Sequence, residues 1–557
     1  MRFTMRIVAA LGGLVFALAV LAPPGLAQQA RPAQEARPAR QATAMQCADL
    51  AGKTLDLPGA VTHVTSTGPT QENGTTYCRV EGYVEPHVRF VLRLPSTYNG
   101  RYLQYGCDGL CGIFREDLFP SRCTGGVPGD MALAVTDDGH HSDLPFPLNL
   151  FDGKWAANDR AARDDYEFRA PHVVSRASKE IIKAYYGSAP VRSYFKGCST
   201  GGREGLLLAQ RYPHDFNGII AGDPTNYNGA LNGVYFTWMV RSNLDGKGGP
   251  ILTQDKLSPL HQAVLKACDA RDGLKDGMID DPAACTFDPA SVACPPGTDR
   301  PTCLTPAQVT VVRKLYAGPT DAKGRRLYPG GEPYGSEEGW AGASVPVNGA
   351  TVSPLADSFL KYLGYPIGKP ASSVADFTFT VAELNRLTAE TSRGNALGLD
   401  LRRFRQAGGK LIMWHGAADQ SIPPASTLDY YQRLWERNGG LARTRQFARM
   451  FLVPAVYHCA AEFLPGYKLN AFDPLPGLVR WVENGQAPAK VIAEQRDAGK
   501  VVATRPVFAY PERARYLGTG SIDDARNFVS APPLTPPRNV IHWAGDYLYD
   551  VPGPVAR

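Results

Sequence analysis

Tyr194-Phe-Lys-Gly-Cys-Ser-Thr-Gly-Gly202 decides how this chain is read. Aromatic residues lead into Gly197, a glycine pair follows Thr200, and Arg203 to Tyr212 carries helix-forming residues. Strand, tight turn and helix in that order put Ser199 at the tip of a sharp bend. Working outward, Asn217-Gly-Ile-Ile-Ala-Gly-Asp-Pro224 reads as a further short strand, and Ala170 to Tyr186 shows helical spacing that stops at Gly187. Met131-Ala-Leu-Ala-Val-Thr136 is the kind of apolar run that suits a buried strand of a parallel sheet.

The same rhythm of strand and helix disappears from about Asn226 to Arg405, a segment rich in Gly, Pro, Asp and aromatic residues. It resumes at Lys410-Leu-Ile-Met-Trp-His-Gly416, with a helix around Leu428 to Asn438 and a strand at Phe447 to Val453. Ahead of it, Thr76 to Val84 and Val88 to Pro95 alternate apolar with polar residues, as half-buried strands do. The fold class expected is therefore α/β: an α/β-hydrolase doubly wound sheet with a large inserted lid domain. Residues 47–225 and 406–557 form the catalytic domain in this reading, and 226–405 the lid.

A serine hydroxyl attacks a carbonyl only when a base takes its proton and donors hold the developing oxyanion. Two later segments supply candidates. Asp419 lies in the loop after the strand ending Trp414-His-Gly, and His458 follows the next strand. Ser199, Asp419 and His458 stand in the chain order of an α/β-hydrolase triad, each at the carboxyl end of a strand. The backbone N–H of Thr200 is the expected oxyanion donor, with a second from the glycine-bearing loop 106–112, at Gly109.

Cys198 precedes the serine and Cys459 follows the histidine. A disulfide holds its Cα atoms about 5.5–6 Å apart, so a Cys198–Cys459 bridge would bring Ser199 and His458 together. It would also close a very long loop, a constraint on the unfolded chain.

Within the insertion, Cys268-Asp-Ala-Arg-Asp-Gly-Leu-Lys-Asp-Gly-Met-Ile-Asp280 sets carboxylates at 269, 272 and 276 among Asp-Gly turns. Hard cations such as Ca²⁺ take several oxygens. Side chains of Asp269, Asp272 and Asp276, with the carbonyls of Leu274 and Met278, can supply them, and Asp280 is an extra. The spacing is not that of an EF-hand. Cys268 and Cys285 flank this loop, and Cys294 with Cys303 can close a second. The metal is read as structural, since the triad needs no Lewis acid.

The chain has 557 residues, 44% hydrophobic, with a net charge of +6 that is not gathered into Lys/Arg blocks. That argues against a nucleic-acid binder or a membrane-surface protein. At the amino terminus Arg2 and Arg6, the apolar run Ile7 to Ala22, and Gly25-Leu-Ala27 read as a signal peptide over 1–27. Residues 28–46 are a Gln/Ala/Arg/Pro leader without apolar period. A secreted or periplasmic protein is expected, and 11 cysteines then imply disulfides with at least one thiol left over.

Gly-Cys-Ser-Thr-Gly-Gly-Arg-Glu-Gly-Leu206, the Asp419 segment and His458-Cys459 together resemble the tannase and feruloyl esterase family, which includes mono(2-hydroxyethyl) terephthalate hydrolase. Thr136-Asp-Asp-Gly-His140 and Ile220-Ala-Gly-Asp-Pro224 extend the likeness. The resemblance implies a serine esterase acting on small aromatic esters of feruloyl, galloyl or phenolic type. It also implies a Ser199–Asp419–His458 triad tethered by Cys198–Cys459, calcium at Asp269, Asp272, Leu274, Asp276 and Met278, and bridges Cys47–Cys78, Cys268–Cys285 and Cys294–Cys303. This chain departs from the family near its carboxyl terminus, where no cysteine stands at Phe508 or near Ser530. Cys107, Cys111 and Cys123 crowd the oxyanion loop, and both Cys107–Cys123 and Cys111–Cys123 are open.

Two other readings compete. A terephthalate half-ester hydrolase would need a cation for the free carboxylate, with Arg325, Arg326 and Lys361 available in the lid. A non-catalytic binding protein on the same scaffold would be expected to have lost a triad member. Trp340 and Phe359 are either substrate contacts or core.

Overall fold

The computed structural model describes residues 45–72, 74–119, 129–460, 468–534 and 536–551. The signal region, the leader up to residue 44, and Cys123 lie outside the described residues.

Ten strands form the main sheet: β1 (Thr54–Leu55), β2 (Thr62–Glu72), β3 (Thr75–Val84), β4 (Val88–Pro95), β5 (Tyr98–Tyr105), β6 (Asp130–Thr136), β7 (Arg192–Cys198), β8 (Gly218–Gly222), β9 (Lys410–Gly416) and β10 (Ala448–Val453). Their order is β1-β2-β3-β4-β6-β5-β7-β8-β9-β10. From β6 through β10 every pair is parallel. From β1 to β6 every pair is antiparallel. The parallel half is the expected α/β-hydrolase sheet. β6 and β8 are buried along their whole length, which is why they read as unbroken apolar runs. The antiparallel half grows from the alternating segments, with Val80, Val84, Phe90 and Leu92 turned into the core.

The helix Ala170–Tyr186 buries Val173, Val174, Ala177, Ile181 and Ile182, and ends on Gly187 at a φ of 76°. The helix Thr200–Arg211 is buried throughout, so it begins three residues before the expected Arg203 and lies within the core.

Residues 223–409 run between β8 and β9, which are neighbours in the sheet. Part of this insertion has its own apolar cluster, including Leu260, Val264, Val312, Leu315 and Trp340. The bridges Cys268–Cys285 and Cys294–Cys303 staple that part. Another part feeds the main core through Leu231, Tyr235, Phe359 and Leu387. Trp340 and Phe359 are both 0% exposed, so the core reading holds for them and the substrate-contact reading does not.

After β10 comes a three-stranded antiparallel sheet that the sequence reading did not anticipate: β11 (Ala471–Phe472), β12 (Lys490–Asp497) and β13 (Lys500–Phe508). The outer stretch of the β12–β13 hairpin is exposed on both faces, Val501 and Val502 included, so its residues show no alternation of apolar with polar. No helix among the described residues is long and apolar enough to cross a membrane.

Candidate active site

Gly197-Cys-Ser-Thr-Gly201 spells Gly-x-Ser-x-Gly, and the structure explains its small residues. Ser199 stands between β7 and the helix Thr200–Arg211 with φ 60° and ψ −122°, a conformation that side chains seldom adopt. Its N–H donates to Gly222 O at 3.0 Å, and its carbonyl accepts from Arg203 N–H at 3.1 Å. A Cβ at Gly197 would fall 2.3 Å from Gly201 O, and one at Gly202 would fall 2.1 Å from Gly222 O. Only glycine lets helix, strand and bend approach so closely.

Thr200 opens the helix, and among the described residues no acceptor takes its N–H. Its hydroxyl donates to Gly109 O at 2.7 Å, which fixes the loop 106–112 against the elbow. Gly109 has a φ of 57° and is wedged against Leu150 O. Gly201 N–H donates to Cys107 O at 2.9 Å. The two N–H groups named from the sequence thus belong to segments that touch one another beside Ser199.

Asp419 is buried in the turn after β9. Its Oδ1 accepts from the N–H groups of Ser421 and Ile422, at 2.8 and 2.9 Å. Its Oδ2 lies 2.8 Å from His458 Nδ1 and 3.3 Å from His415 Nε2. Burial alone would raise the Asp419 pKa, but the two imidazoles outweigh it and hold the carboxyl well below the usual carboxylate range. Burial would lower the pKa of His458, yet the carboxylates of Asp419 and Asp223 carry it above that of an ordinary imidazole. A carboxylate on Nδ1 orients the ring so that Nε2 is the basic nitrogen. Ser199 Oγ and His458 Nε2 form no hydrogen bond in this structure. Such contacts commonly tighten only with substrate bound.

The bridge Cys198–Cys459 is present, with Cα atoms 5.8 Å apart. Cys47–Cys78, Cys268–Cys285 and Cys294–Cys303 are present too. The loop 106–112 departs from the expectation: Cys107 is bridged to Cys111, not to Cys123, across Cα atoms 5.3 Å apart. Left-handed backbone at Gly109 and Cys111 turns the loop tightly enough to bring the two sulfurs together. Cys123 is then the odd cysteine.

Two residues with a part in the site went unassigned from sequence. Asp223 follows β8 and His415 is the penultimate residue of β9, and both are 0% exposed. Strand register puts Cys198 opposite Gly222, and Gly222 opposite Trp414, so Ser199, Asp223 and His415 emerge side by side. Their only sequence signal is position at a strand end. Cross-strand register is not legible in one chain.

The acidic loop is folded on itself. Asp269 accepts from the N–H groups of Asp276 and Gly277, at 3.1 and 3.0 Å. Asp272 accepts from Leu274 N–H at 2.8 Å, and Asp276 from Met278 N–H at 3.1 Å. Arg505, from β13, pairs with the other oxygen of Asp276. Asp280 Oδ1 is sealed from solvent without a hydrogen-bond partner. Burial, then the neighbouring Asp272, pushes its carboxyl up to about 8. An all-oxygen donor set with an orphaned, repelled carboxylate fits a hard divalent cation.

A cavity of 550 Å³ opens beside the acid and histidine loops, lined among others by His261, Met278, Tyr334, Ala418, Tyr457 and Lys468. Arg325, Arg326 and Lys361 do not line it. Arg325 is paired with Asp321 and Lys361 with Asp357.

A family model for tannase and feruloyl esterase matches residues 72–531. Mono(2-hydroxyethyl) terephthalate hydrolase from Piscinibacter sakaiensis is 33% identical over 515 residues, covering 82% of this chain and 83% of that one. The crystal structure of feruloyl esterase B from Aspergillus oryzae superposes with a TM-score of 0.73 at 26% identity, covering 86% of this chain and 98% of that chain. Tannin acyl hydrolase from Aspergillus niger shares the fold, with a TM-score of 0.64 at 20% identity, covering 85% and 90%.

Proposed function

We propose that this chain, which belongs to the tannase and feruloyl esterase family and is a carboxylic ester hydrolase, cleaves small aromatic esters through an acyl-enzyme on Ser199. The observation that carries the reading is the 2.8 Å Asp419–His458 contact, tied by the Cys198–Cys459 bridge to a serine on a strained elbow.

His458 Nε2 accepts the Ser199 proton as Oγ attacks the ester carbonyl. The oxyanion formed is held by the N–H groups of Thr200 and Gly109, with the helix N-terminus behind Thr200. His458 returns the proton to the leaving alcohol, and an acyl-serine remains. Water, deprotonated by the same imidazole, adds to the acyl carbon; the bond to Ser199 Oγ then breaks, the imidazolium returns the proton to Oγ, and the acid leaves. Asp419 keeps the imidazole in the productive tautomer and stabilises it when charged.

Feruloyl, galloyl and related phenolic esters are the substrate class, on the strength of what the relatives are named for. Residues 226–405 act as the lid, and the protein is exported through its signal peptide to the periplasm or beyond. Ca²⁺ is held by Asp269, Asp272 and Asp276 with the carbonyls of Leu274 and Met278, and it braces the loop beside the cavity. One observation favours terephthalate half-esters as a second reading: Lys468 offers the cavity a cation for a free carboxylate.

The test is turnover of methyl ferulate, methyl gallate and a terephthalate half-ester by the wild type and by Ser199→Ala. Loss of about 10³-fold or more in the variant is expected. Equal activity would remove Ser199 from the mechanism.

A further inference from the structure

Asp223 touches all three segments that carry Ser199, Asp419 and His458. Its N–H donates to Trp414 O at 2.9 Å. Its Oδ1 accepts from Gly416 N–H at 2.8 Å, three residues before Asp419. Its Oδ2 accepts from Cys459 N–H at 2.6 Å, immediately after His458. The same oxygen lies 3.4 Å from Cys198 Sγ, next to Ser199. Asp223 itself is held at a φ of 37°, and Cys459 at 61°, two left-handed positions joined by one carboxylate.

Backbone strain of this kind persists only where the surroundings over-determine it. The bridge fixes the Cys459 side chain, but it leaves the peptide between His458 and Cys459 free to rotate. Capture of the Cys459 N–H removes that freedom, and with it the freedom of the imidazole to swing away from Ser199.

We propose that Asp223 is a positioning residue of this site: its buried carboxylate locks the Cys459 and Gly416 N–H groups so that His458 stays in register with Ser199, and it presents a second negative charge to that imidazole. The proposal rests on the serine-esterase reading. The charged groups that face His458 are Asp419, from the turn after β9, and Asp223, from the end of β8. His415 stands behind them, within 3.3 Å of Asp419 and 3.8 Å of Asp223. From the insertion, Glu332 is buried, which pushes its carboxyl well above the ordinary carboxylate range, and it accepts from Tyr235 and Trp340. Burial pushes the Asp223 carboxyl up to about 6, while the imidazoles of His415 and His458 oppose that rise.

The experiment compares Asp223→Asn and Asp223→Ser with the wild type and with Ser199→Ala. It measures kcat/KM against pH on a soluble aryl ester, the melting temperature, and the 198–459 linkage by non-reducing peptide mapping. With the bridge intact, kcat is expected to fall about 10- to 100-fold at little change in KM, because the base is misplaced. The acid limb of kcat/KM is expected to move down by about one pH unit, because a charge that favoured the imidazolium has gone. A merely structural role would lower the melting temperature and leave the acid limb where it was. An unmoved limb, unchanged kcat, or failure of both variants to fold overturns the proposal. Turnover surviving in Ser199→Ala overturns the esterase reading itself, and this proposal with it.

Discussion

Cys198 and Cys459 hold their Cα atoms 5.8 Å apart although 261 positions separate them in the chain. The residue after one is Ser199 and the residue before the other is His458. A covalent bond therefore keeps the strand that ends just before Ser199 and the loop that carries His458 from parting.

Replacing both cysteines with serine should cost stability and activity together. In the chain-entropy account a loop of this length is worth about 5 kcal/mol, an upper figure for a bridge in the native state. A melting temperature lowered by several degrees, with kcat lower, is the expected result by calorimetry and initial rates. A loss of stability without loss of kcat would show that Asp223 and Asp419 place the histidine unaided.

The pH profile should show an acid limb at or above about 6.5, the ordinary imidazole value. The sign follows from the chemistry: imidazolium cannot accept the Ser199 proton, so activity is present above the His458 pKa and lost as pH falls through it. Asp419 and Asp223 raise that pKa against the effect of burial. Asp419→Asn should shift the limb down and lower kcat by about 10⁴-fold, since the tautomer is no longer imposed. The measurement is kcat/KM on an uncharged ester across pH 4 to 9.

Gly202→Ala should disable the elbow. The added methyl would lie 2.1 Å from Gly222 O and 3.0 Å from Pro224 Cα, both backbone atoms with nowhere to go. Overpacking of this kind costs about 1–3 kcal/mol or more, readable by chemical denaturation, and should displace Ser199 as well. Gly246→Ala, where nothing lies within 4 Å of the added atom, is the control.

Chelation should lower the melting temperature, and added Ca²⁺ should restore it. At a free concentration about 100 times Kd the stabilisation is about 2.7 kcal/mol. Asp280→Asn relieves repulsion in the loop and should weaken the response to Ca²⁺. If chelation left the melting temperature unchanged and elemental analysis found no calcium, the Arg505–Asp276 pair would suffice to close the loop.

Much of the site was legible because its residues sit at places with their own grammar. Ser199 is marked by flanking glycines, Asp419 and His458 by strands that end just before them, and the tether by cysteines adjacent to two of the three. Asp223 and His415 carry the same chemistry but no such marks; an aspartate in Gly-Asp-Pro is an ordinary turn residue until the neighbouring strand is known. The Cys107–Cys111 bridge escaped for a related reason. It depends on left-handed backbone at Gly109 and Cys111, which spacing does not reveal.

Local order along the chain was enough to determine the class of fold and to single out Ser199, Asp419 and His458 as the candidate side chains, because strands, turns and helix starts are written in residues close to one another. The tertiary structure decided which strands lie side by side, and therefore that one buried carboxylate from β8 reaches the segments of all three. Register between strands depends on packing across the sheet, where residues distant in sequence meet, and that information is spread over the whole chain.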